Sequence, residues 1–411
     1  MNIRILIIIA LLTSAVCACD NGEARDRTRP DEADAVLPHE LLDSIRRAEM
    51  IASYDTFSNI DYKRHYIPDY NNYLEIKKKY GDPKENRAAW RAFTTLNRKE
   101  FRFVRVGDTV IIPDRIHSDL RAYSIFPQFY YDARHLPKII MVSNKYQCYG
   151  AYENGHLVRF AAVNSGKERT PTFPGRYALV WKERVRRSSL DSNWVMPFTW
   201  NFHAQAGNAF HQFEMPGRPV SHSCLRQFME DAEWLYSWGR GVRFDSSGNR
   251  QRMSGTPVII LDIFDFRRPK YGPWLDIASN TEKVIEFPRN PMEVEEAIIP
   301  LCQIPVDARG GLHDYKRFKY GEDTLRARGI IRQGVVLIET RNFNKLRRQK
   351  AELEAKRKKE EEKMRLIEPS EAEQPAGIET NNSEINNDEI KLKNFPSPNT
   401  PASGNNPPNG F

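Results

Sequence analysis

One segment of the chain carries a cysteine and two histidines at spacings that suit thiol chemistry. Cys224 follows His222 by two residues and His211 by 13 (224 − 211). A cysteine becomes a nucleophile when its thiol loses a proton, and a neighbouring imidazole is a common acceptor for that proton. The segment therefore predicts acyl transfer through a thioester, with Cys224 as the nucleophile.

The two histidines differ in how each would reach the sulfur. His211 lies on a predicted strand, and the turn that follows would return it over Cys224, so we predict that His211 is the general base. His222 shares a tight turn with the cysteine and is predicted to shape the loop. The alternatives are an inert core thiol and a strand histidine with satisfied hydrogen bonds. A metal site on His222 and Cys224 lacks a second ligand pair at zinc-like spacing, so we predict no metal and no cofactor.

The residues after Cys224 have a helical apolar pattern, with apolar side chains at Phe228, Met229, Ala232, Leu235 and Trp238. This pattern predicts a helix that begins directly after Cys224 and ends near Gly239. Free N–H groups and the dipole at a helix start favour an anion, so they would lower the pKa of the thiol. The same N–H groups could stabilise an oxyanion.

The surrounding pattern is mainly β. Asn154-Gly155 stands between two apolar runs and predicts a two-residue hairpin. We predict an α+β fold, mainly β with flanking helices. The strands are predicted at 139–143, 147–152, 157–163, 175–181, 209–213 and 257–262, with strand-like runs at 101–113 and 334–338 and helices at 40–52 and 73–97.

The N-terminus has the pattern of an export signal. Arg4 precedes an apolar run from Ile5 to Leu12 that is too short to span a bilayer. Ala18 stands directly before Cys19, which suits lipidation of Cys19 better than of Cys17. We expect a lipoprotein on the periplasmic side of the cell envelope, held at the membrane by a lipid on Cys19. A cleavable signal without a lipid is the alternative.

Cysteine count and charge add weaker constraints. Of the five cysteines, Cys148, Cys224 and Cys302 remain after the signal, and this odd number leaves at least one thiol unpaired. A disulfide between Cys148 and Cys302 stays open. The formal net charge of +8 suits acidic partners such as wall polymer, anionic lipid or nucleic acid, without choosing among them.

Composition divides the chain into seven segments. These are a signal peptide at 1–19, a tether and first helix at 20–60, an N-terminal helical region at 61–120, a β-rich catalytic domain at 137–263, an extension of unknown role at 264–340, a charged helix at 341–366 and a disordered tail at 367–411.

The catalytic segment resembles the YkuD-type L,D-transpeptidase family. The run from Ser221 to Arg226, Ser-His-Ser-Cys-Leu-Arg, is similar to the family's Ser-His-Gly-Cys signature. Further stretches resemble the family in the same order, namely Val163 to Gly166, Thr170 to Gly175, Met196 to Phe198 and Gly255 to Ile260. The resemblance implies a YkuD-like β-sandwich or barrel over about 137–262.

Carried over by position, the resemblance implies that Cys224 is acylated and that His211 is the base. Ser221, His222 and Arg226 would shape the site, and the Cys224 N–H would contribute to the oxyanion hole. Two positions depart from the family pattern, which has Gly in place of Ser223 and often Gly or Ala in place of Gln212. Ser223 affects the loop geometry because Gly usually serves where φ is positive, and Gln212 could crowd the cleft.

A second resemblance lies upstream. Leu96-Asn97 and the run from Val106 to Pro113 resemble the end of a LysM glycan-binding module, which would hold the chain on wall polymer. The alternative is a plain strand that ends at Pro113. We therefore predict that residues 61–120 form a helical, LysM-like wall-binding region.

The implied function is cross-linking of peptidoglycan, with a thioester on the third stem residue and release of D-Ala. The expected partners are stem peptides, glycan and, through Cys19, the membrane, with no nucleic acid. The alternatives are a catalytically weak wall-binding lipoprotein and an L,D-carboxypeptidase that uses water as acceptor. A papain-like or NlpC-type peptidase is disfavoured because those families place Cys before His, whereas His211 and His222 precede Cys224.

Overall fold

The computed structural model describes residues 39–188, 193–268, 272–340 and 343–367. The signal peptide, Cys19, the tether up to residue 38 and the tail from residue 368 lie outside these ranges. The chain forms two compact units, Met1–Arg348 and Gln349–Phe411. Among the described residues, no helix is both long enough and apolar enough to cross a membrane.

The catalytic segment begins with a five-stranded mixed sheet. The sequence places the first hairpin correctly, because Asn154 (φ 48°) and Gly155 (φ 84°) adopt the left-handed conformation that a two-residue turn needs. The strand order is β5-β4-β3-β11-β6. The bounds are β3 Ile139–Ser143, β4 Cys148–Glu153, β5 His156–Ala162, β6 Gly175–Ala178 and β11 Pro257–Ile260.

A second, four-stranded sheet packs on the first, with strand order β10-β9-β8-β7. Its strands are β7 Trp181–Arg187, β8 Val195–His203, β9 Asn208–Gln212 and β10 Leu225–Gln227, followed by helix α4 at Met229–Trp238. The single strand predicted at 175–181 is therefore wrong: residues 175–178 and residues 181–187 belong to different sheets. Strand β8 was not predicted, because it begins at Val195-Met196-Pro197, where a proline obscures the period of two.

Aromatic side chains from the two sheets meet in a common core. Tyr149 of β4 lies 5.8 Å from Phe210 of β9, and Tyr177 of β6 lies 5.1 Å from Phe202 of β8, measured between ring centroids. The α+β prediction is confirmed. The barrel alternative is wrong, because the two sheets have separate strand orders and stack as layers.

The N-terminal region packs on the opposite face of the five-stranded sheet. Helix α1 (His39–Tyr54) comes first, and then β1 (Tyr62–Tyr66), α2 (Tyr70–Tyr80), α3 (Arg87–Asn97) and β2 (Thr109–Pro113) form a βααβ unit with an antiparallel β1–β2 pair. The predicted helices at 40–52 and 73–97 are present, and the second breaks at Gly81 as its Gly-Asp-Pro predicts. The strand predicted at 101–113 starts only at Thr109, since Phe101–Phe103 is a 3₁₀ turn.

The buried side chain of Asn97 holds this unit together. Its amide donates to the carbonyl of Ile111 over 2.9 Å, and its oxygen accepts the Ile111 N–H over 2.7 Å, so helix α3 is tied to β2. The backbone N–H of Glu100 donates to the carbonyl of Met215 over 2.8 Å. The βααβ unit therefore contacts the loop that leads to the catalytic segment.

The extension at 264–340 wraps the sandwich with little regular structure. It contains α5 (Tyr315–Lys319), α6 (Gly321–Ala327) and four 3₁₀ turns at Pro273–Asp276, Pro291–Glu293, Leu301–Gln303 and Val306–Gly311. The strand predicted at 334–338 is not formed. Instead, the Ile338 N–H donates to the carbonyl of Arg169 over 2.9 Å, while Val335 and Leu337 join the sandwich core. The apolar run reflects packing against the domain, without strand pairing.

The extension also covers the edge of β6. Arg176 donates its backbone N–H to the carbonyl of Glu295 over 2.8 Å. Gly175 has φ 128°, and a Cβ there would lie 2.6 Å from the Cα of Ala297, so only glycine allows this approach. In the second unit, helix α7 (Phe343–Ile367) matches the predicted charged helix and carries an i,i+4 ion pair between Arg357 and Glu361 at 3.3 Å.

Candidate active site

Cys224 lies directly before a strand, which corrects the sequence prediction. Leu225–Gln227 pairs as β10, and the helix starts only at Met229. Leu225 and Gln227 are buried while Arg226 is partly exposed, and this period of two belongs to a strand. A helix start therefore does not act on the thiol. Burial raises the pKa of Cys224, while the Ala209 N–H and the charge of Arg226 oppose that rise.

Strand alternation brings His211 to the face that carries Cys224. Leu225 pairs with Phe210, and Arg226 pairs with His211, on the parallel strands β10 and β9. Leu225 and Phe210 point into the core. Alternate residues point the other way, so Cys224, Arg226 and His211 share the opposite face.

These side chains line a narrow cavity of about 40 Å³, with walls formed by Ser188, Trp194, Met196, His211, Phe213, Ser221, His222, Cys224 and Arg226. The Trp194 ring lies 5.7 Å from the His222 ring and 6.1 Å from the Phe213 ring, so it closes one side. One water occupies about 30 Å³ in the liquid. The cavity therefore has room for a water molecule but not for a peptide.

The protonation state of His211 suits a base. Its Nδ1 lies 2.9 Å from the carbonyl oxygen of Gln212, and because a carbonyl only accepts, Nδ1 carries the proton. Nε2 then has a free lone pair. Burial lowers the pKa of His211 to about 4. Near neutral pH the resting pair is therefore a thiol and a neutral imidazole, in contrast to the ionised sulfur predicted from sequence.

A turn at residues 166–172 holds the catalytic loop by its backbone oxygens. Thr170 donates its hydroxyl to the carbonyl of Ser221 over 3.0 Å, and Thr172 donates to the carbonyl of Ser223 over 3.1 Å. Ser221 in turn donates its hydroxyl to the Cys224 carbonyl over 2.5 Å. The sequence analysis quoted Thr170 and Thr172 only as family motif, and their contacts with the loop appear only in three dimensions.

Residues 137–260 match the family model described as the L,D-transpeptidase catalytic domain, YkuD. This segment is a YkuD-family L,D-transpeptidase catalytic domain. No curated protein matches the chain.

Among solved structures, an L,D-transpeptidase from Stackebrandtia nassauensis is 20% identical, with 31% of this chain and 57% of that chain covered and a TM-score of 0.26. One from Xylanimonas cellulosilytica is 25% identical, with 30% and 59% covered and a TM-score of 0.24. One from Mycobacterium tuberculosis H37Rv is 18% identical, with 45% and 87% covered and a TM-score of 0.24. The chain spans less than two thirds of the first matched structure.

The other predicted site residues take distinct places in the YkuD domain. His222 lines the cavity, with its Nε2 3.4 Å from Lys167 Nζ, and burial together with Lys167 and Arg226 lowers its pKa. The Arg226 guanidinium lies 4.6 Å from the centre of the Phe213 ring. Lys167 was not singled out from the sequence, and no spacing rule would have found it.

The two departures from the family pattern have different consequences. Ser223 has φ 69°, the left-handed region for which the family uses glycine. Its hydroxyl donates to Asn208 Oδ1 over 3.2 Å. Gln212 alternates with His211 on β9, and its backbone pairs with Gln227, so its side chain points away from the face that carries Cys224.

The remaining thiols and the metal prediction complete the site. Cys148 is buried and Cys302 is half-buried, and both are free, so the open disulfide between them is not formed. Across the part of the chain that the structure describes, no group of three or more His, Cys, Asp or Glu side chains is arranged to hold a metal ion.

Proposed function

We propose that the chain is an L,D-transpeptidase that acts on peptidoglycan stem peptides through Cys224. The observation that carries this proposal is that Cys224 and His211 line one narrow cavity from adjacent parallel strands, inside the segment that matches the YkuD family. The thiol and the imidazole are the two groups that acyl transfer through a thioester requires.

The chemistry starts from a neutral pair. As the Cys224 sulfur attacks the carbonyl carbon of the third stem residue, its proton passes to Nε2 of His211. The resulting imidazolium gives that proton to the amine of the departing D-Ala, and a thioester remains. An amine of a second stem then attacks the thioester and forms the cross-link. The Cys224 N–H would stabilise the oxyanion, with Ser221 and Arg226 as site-shaping residues.

Substrate binding requires a wider site than the resting one. A stem peptide exceeds the 40 Å³ cavity, so Trp194 must give way before the peptide carbonyl reaches the sulfur. Arg226, Lys167 and Arg186 lie around this opening, and they would favour the carboxylates of the donor stem.

Acylation by a carbapenem tests the nucleophile. We expect the purified full chain to gain the mass of the opened drug, and Cys224→Ala to gain none. Cys302→Ala is the matched control, because it removes a half-buried thiol outside the site and should keep the adduct. An adduct that survives Cys224→Ala would reject Cys224 as nucleophile.

The second candidate is a catalytically weak wall-binding lipoprotein. The positive φ of Ser223, the raised pKa of Cys224 and the closed cavity favour it. Incubation with a disaccharide–tetrapeptide discriminates the functions. Cross-linked dimer with release of D-Ala supports the transpeptidase, tripeptide alone supports a carboxypeptidase, and an unchanged substrate supports the binding protein.

We also propose an envelope location with a lipid on Cys19 and wall contact through the βααβ unit. The support is the short apolar run before Cys19 and the similarity of 96–113 to a LysM module. Membrane fractionation of Cys19→Ser tests the anchor, because the variant should leave the membrane fraction. Co-sedimentation with insoluble peptidoglycan tests wall binding.

A further inference from the structure

A cavity of about 830 Å³ lies between the sandwich and the extension. Twelve of its 25 lining residues lie beyond residue 260, outside the segment that matches the YkuD family. The extension contributes two walls, at 292–297 and 311–318. The domain contributes the start of β6, the end of β8 and the turn that follows β8. Its volume is in the range of sites that bind small molecules and short peptides.

This cavity adjoins Cys224 through the β8–β9 turn. Gln205 lines the cavity, and two residues later the carbonyl oxygen of Gly207 lies 3.9 Å from the Cys224 sulfur. Two residues of chain span at most about 7 Å. A second segment makes the same connection, since Thr172 contacts Ser223 and Arg176 lines the cavity. A ligand in the cavity is therefore within a few residues' length of the sulfur.

The walls combine both signs of charge with apolar surface. Arg252 pairs with Glu296 at 2.9 Å, and Arg317 pairs with Glu295 at 3.2 Å. The Nε of Arg317 is buried and has no hydrogen-bond partner among the described residues. A buried donor without a partner costs about 1–3 kcal/mol, so a carboxylate that reached it would be bound with gain. Phe202, Phe318 and Leu312 supply the apolar part.

This chemistry selects a zwitterionic ligand with an aliphatic part. A polyanion such as nucleic acid would meet Glu293, Glu295 and Glu296, and a lipid tail would bury charged groups without partners. A short peptide with a free amine and several carboxylates satisfies the arginines, the glutamates and the apolar wall together. A stem peptide with a diamino acid is such a molecule.

We propose that this cavity is the binding site for the acceptor stem peptide, an inference that rests on the proposed transpeptidase function. The amine of the bound stem attacks the thioester carbon on Cys224. The new C–N bond forms, the C–S bond breaks, and the amine proton returns through an imidazole to the sulfur, so the free thiol is restored. The extension thereby decides which amine resolves the thioester.

One hydrogen bond fixes the wall nearest to the sulfur. Gln205 donates from Nε2 to the carbonyl of Gly311 over 2.8 Å, which joins the β8–β9 turn to the extension. Leu312, the next residue, is half-buried in the cavity wall. A tryptophan at position 312 would fill the space beside this turn and leave Cys224 and His211 in place.

The test compares two acceptors in the full-length protein. The donor is a disaccharide–tetrapeptide that ends in D-Ala. The acceptors are free glycine, which is too small to need the cavity, and a disaccharide–tripeptide, which cannot act as a donor. We expect Leu312→Trp to lower the ratio of tripeptide transfer to glycine transfer by at least about tenfold, since the larger side chain occupies the site. Met292→Trp, at the exposed rim of the cavity, gives a second obstruction with less risk to folding.

Val306→Trp is the matched control, because Val306 is 68% exposed in the same extension and does not line the cavity. It should leave the ratio unchanged. A ratio unchanged in both Leu312→Trp and Met292→Trp would overturn the acceptor site and leave the transpeptidase standing. A native protein that transfers neither amine would overturn both proposals.

Discussion

The hydroxyl of Thr172 donates a 3.1 Å hydrogen bond to the carbonyl oxygen of Ser223, the residue directly before Cys224. The same hydroxyl accepts the buried N–H of Gly166 over 3.0 Å. One side chain thus connects the turn at 166–172 to the catalytic loop, and it fixes the peptide group that precedes the nucleophile.

Replacement of Thr172 should affect rate as well as stability. In Thr172→Val the Gly166 N–H loses its partner, which should cost about 1–3 kcal/mol of unfolding free energy. The freed loop should slow carbapenem acylation on the order of tenfold, because catalysis depends on the placement of the sulfur. Stopped-flow fluorescence measures the rate. Thr172→Ser keeps the hydroxyl and should restore most of it, and equal rates in the two variants would contradict a positioning role.

Ser223 tests how much the left-handed backbone costs. Serine at φ 69° loses about 1–2 kcal/mol to steric crowding, and glycine avoids this loss but orders a freer backbone. We expect Ser223→Gly to change the unfolding free energy by less than about 1 kcal/mol, and Ser223→Val to lower it by about 1–3 kcal/mol. Urea denaturation measures both. A valine variant as stable as the native protein would show that the loop relaxes out of this conformation.

The sequence located the nucleophile and base but not their surroundings. Cys224 and His211 were found because one short segment contains both and because the family signature surrounds them. The predicted helix start at Cys224 was wrong, since Leu225-Arg226-Gln227 fits a strand as well as a first helical turn, and only pairing with β9 decides between them. Long-range contacts of this kind leave no local pattern.

The role of the extension was also beyond the sequence. Asn280 accepts the Ile60 N–H over 2.8 Å and donates to the carbonyl of Ala122 over 2.9 Å, so it joins segments more than 150 residues apart in the chain. Short 3₁₀ turns carry no periodic apolar pattern, and the apolar run at 334–338 imitates a strand. Residues 264–340 therefore had no predicted task, although they cover the edge of β6 and wall a large cavity.

The low pKa of His211 predicts where acylation fails in acid. A base must be neutral, and burial lowers the pKa of His211 to about 4, so the imidazole stays neutral well below its usual value of 6.5. The mildly acidic limb expected from the sequence should therefore shift. We expect carbapenem acylation to be half lost near pH 4 to 5. Half-loss near pH 6.5 would show that a solvent-exposed histidine is the base.

Unfolding must be separated from this titration. The folded pKa of His211 is depressed, so the unfolded chain binds the extra proton first as pH falls below 6.5. The stabilising effect of the neutral form is complete above pH 6.5 and is lost as pH falls toward 4, by about 2 kcal/mol at pH 5 for one histidine. Tryptophan fluorescence at each pH shows whether the rate falls before the fold is lost.

A buried carboxylate connects the N-terminal unit to the YkuD domain. Asp231 on α4 is fully buried and accepts hydrogen bonds from Arg91 on α3, over 3.0 Å, and from Arg159 on β5, over 2.5 Å. In Asp231→Asn the two guanidinium groups lose their counter-charge in a place that water does not reach. We expect the unfolding free energy to fall by about 3–5 kcal/mol, because a buried ion left without its partner is strongly destabilising.

Glu230→Gln is the matched control for this prediction. Glu230 also pairs with Arg91, but 37% of its side chain is exposed, so solvent screens the interaction and the loss should stay below about 1 kcal/mol. Chemical denaturation followed by circular dichroism compares the two variants. If Asp231→Asn cost no more than Glu230→Gln, the ion pairs would not hold α3 against the domain, and the apolar contacts of Ala92 and Leu96 with the five-stranded sheet would be left to do so.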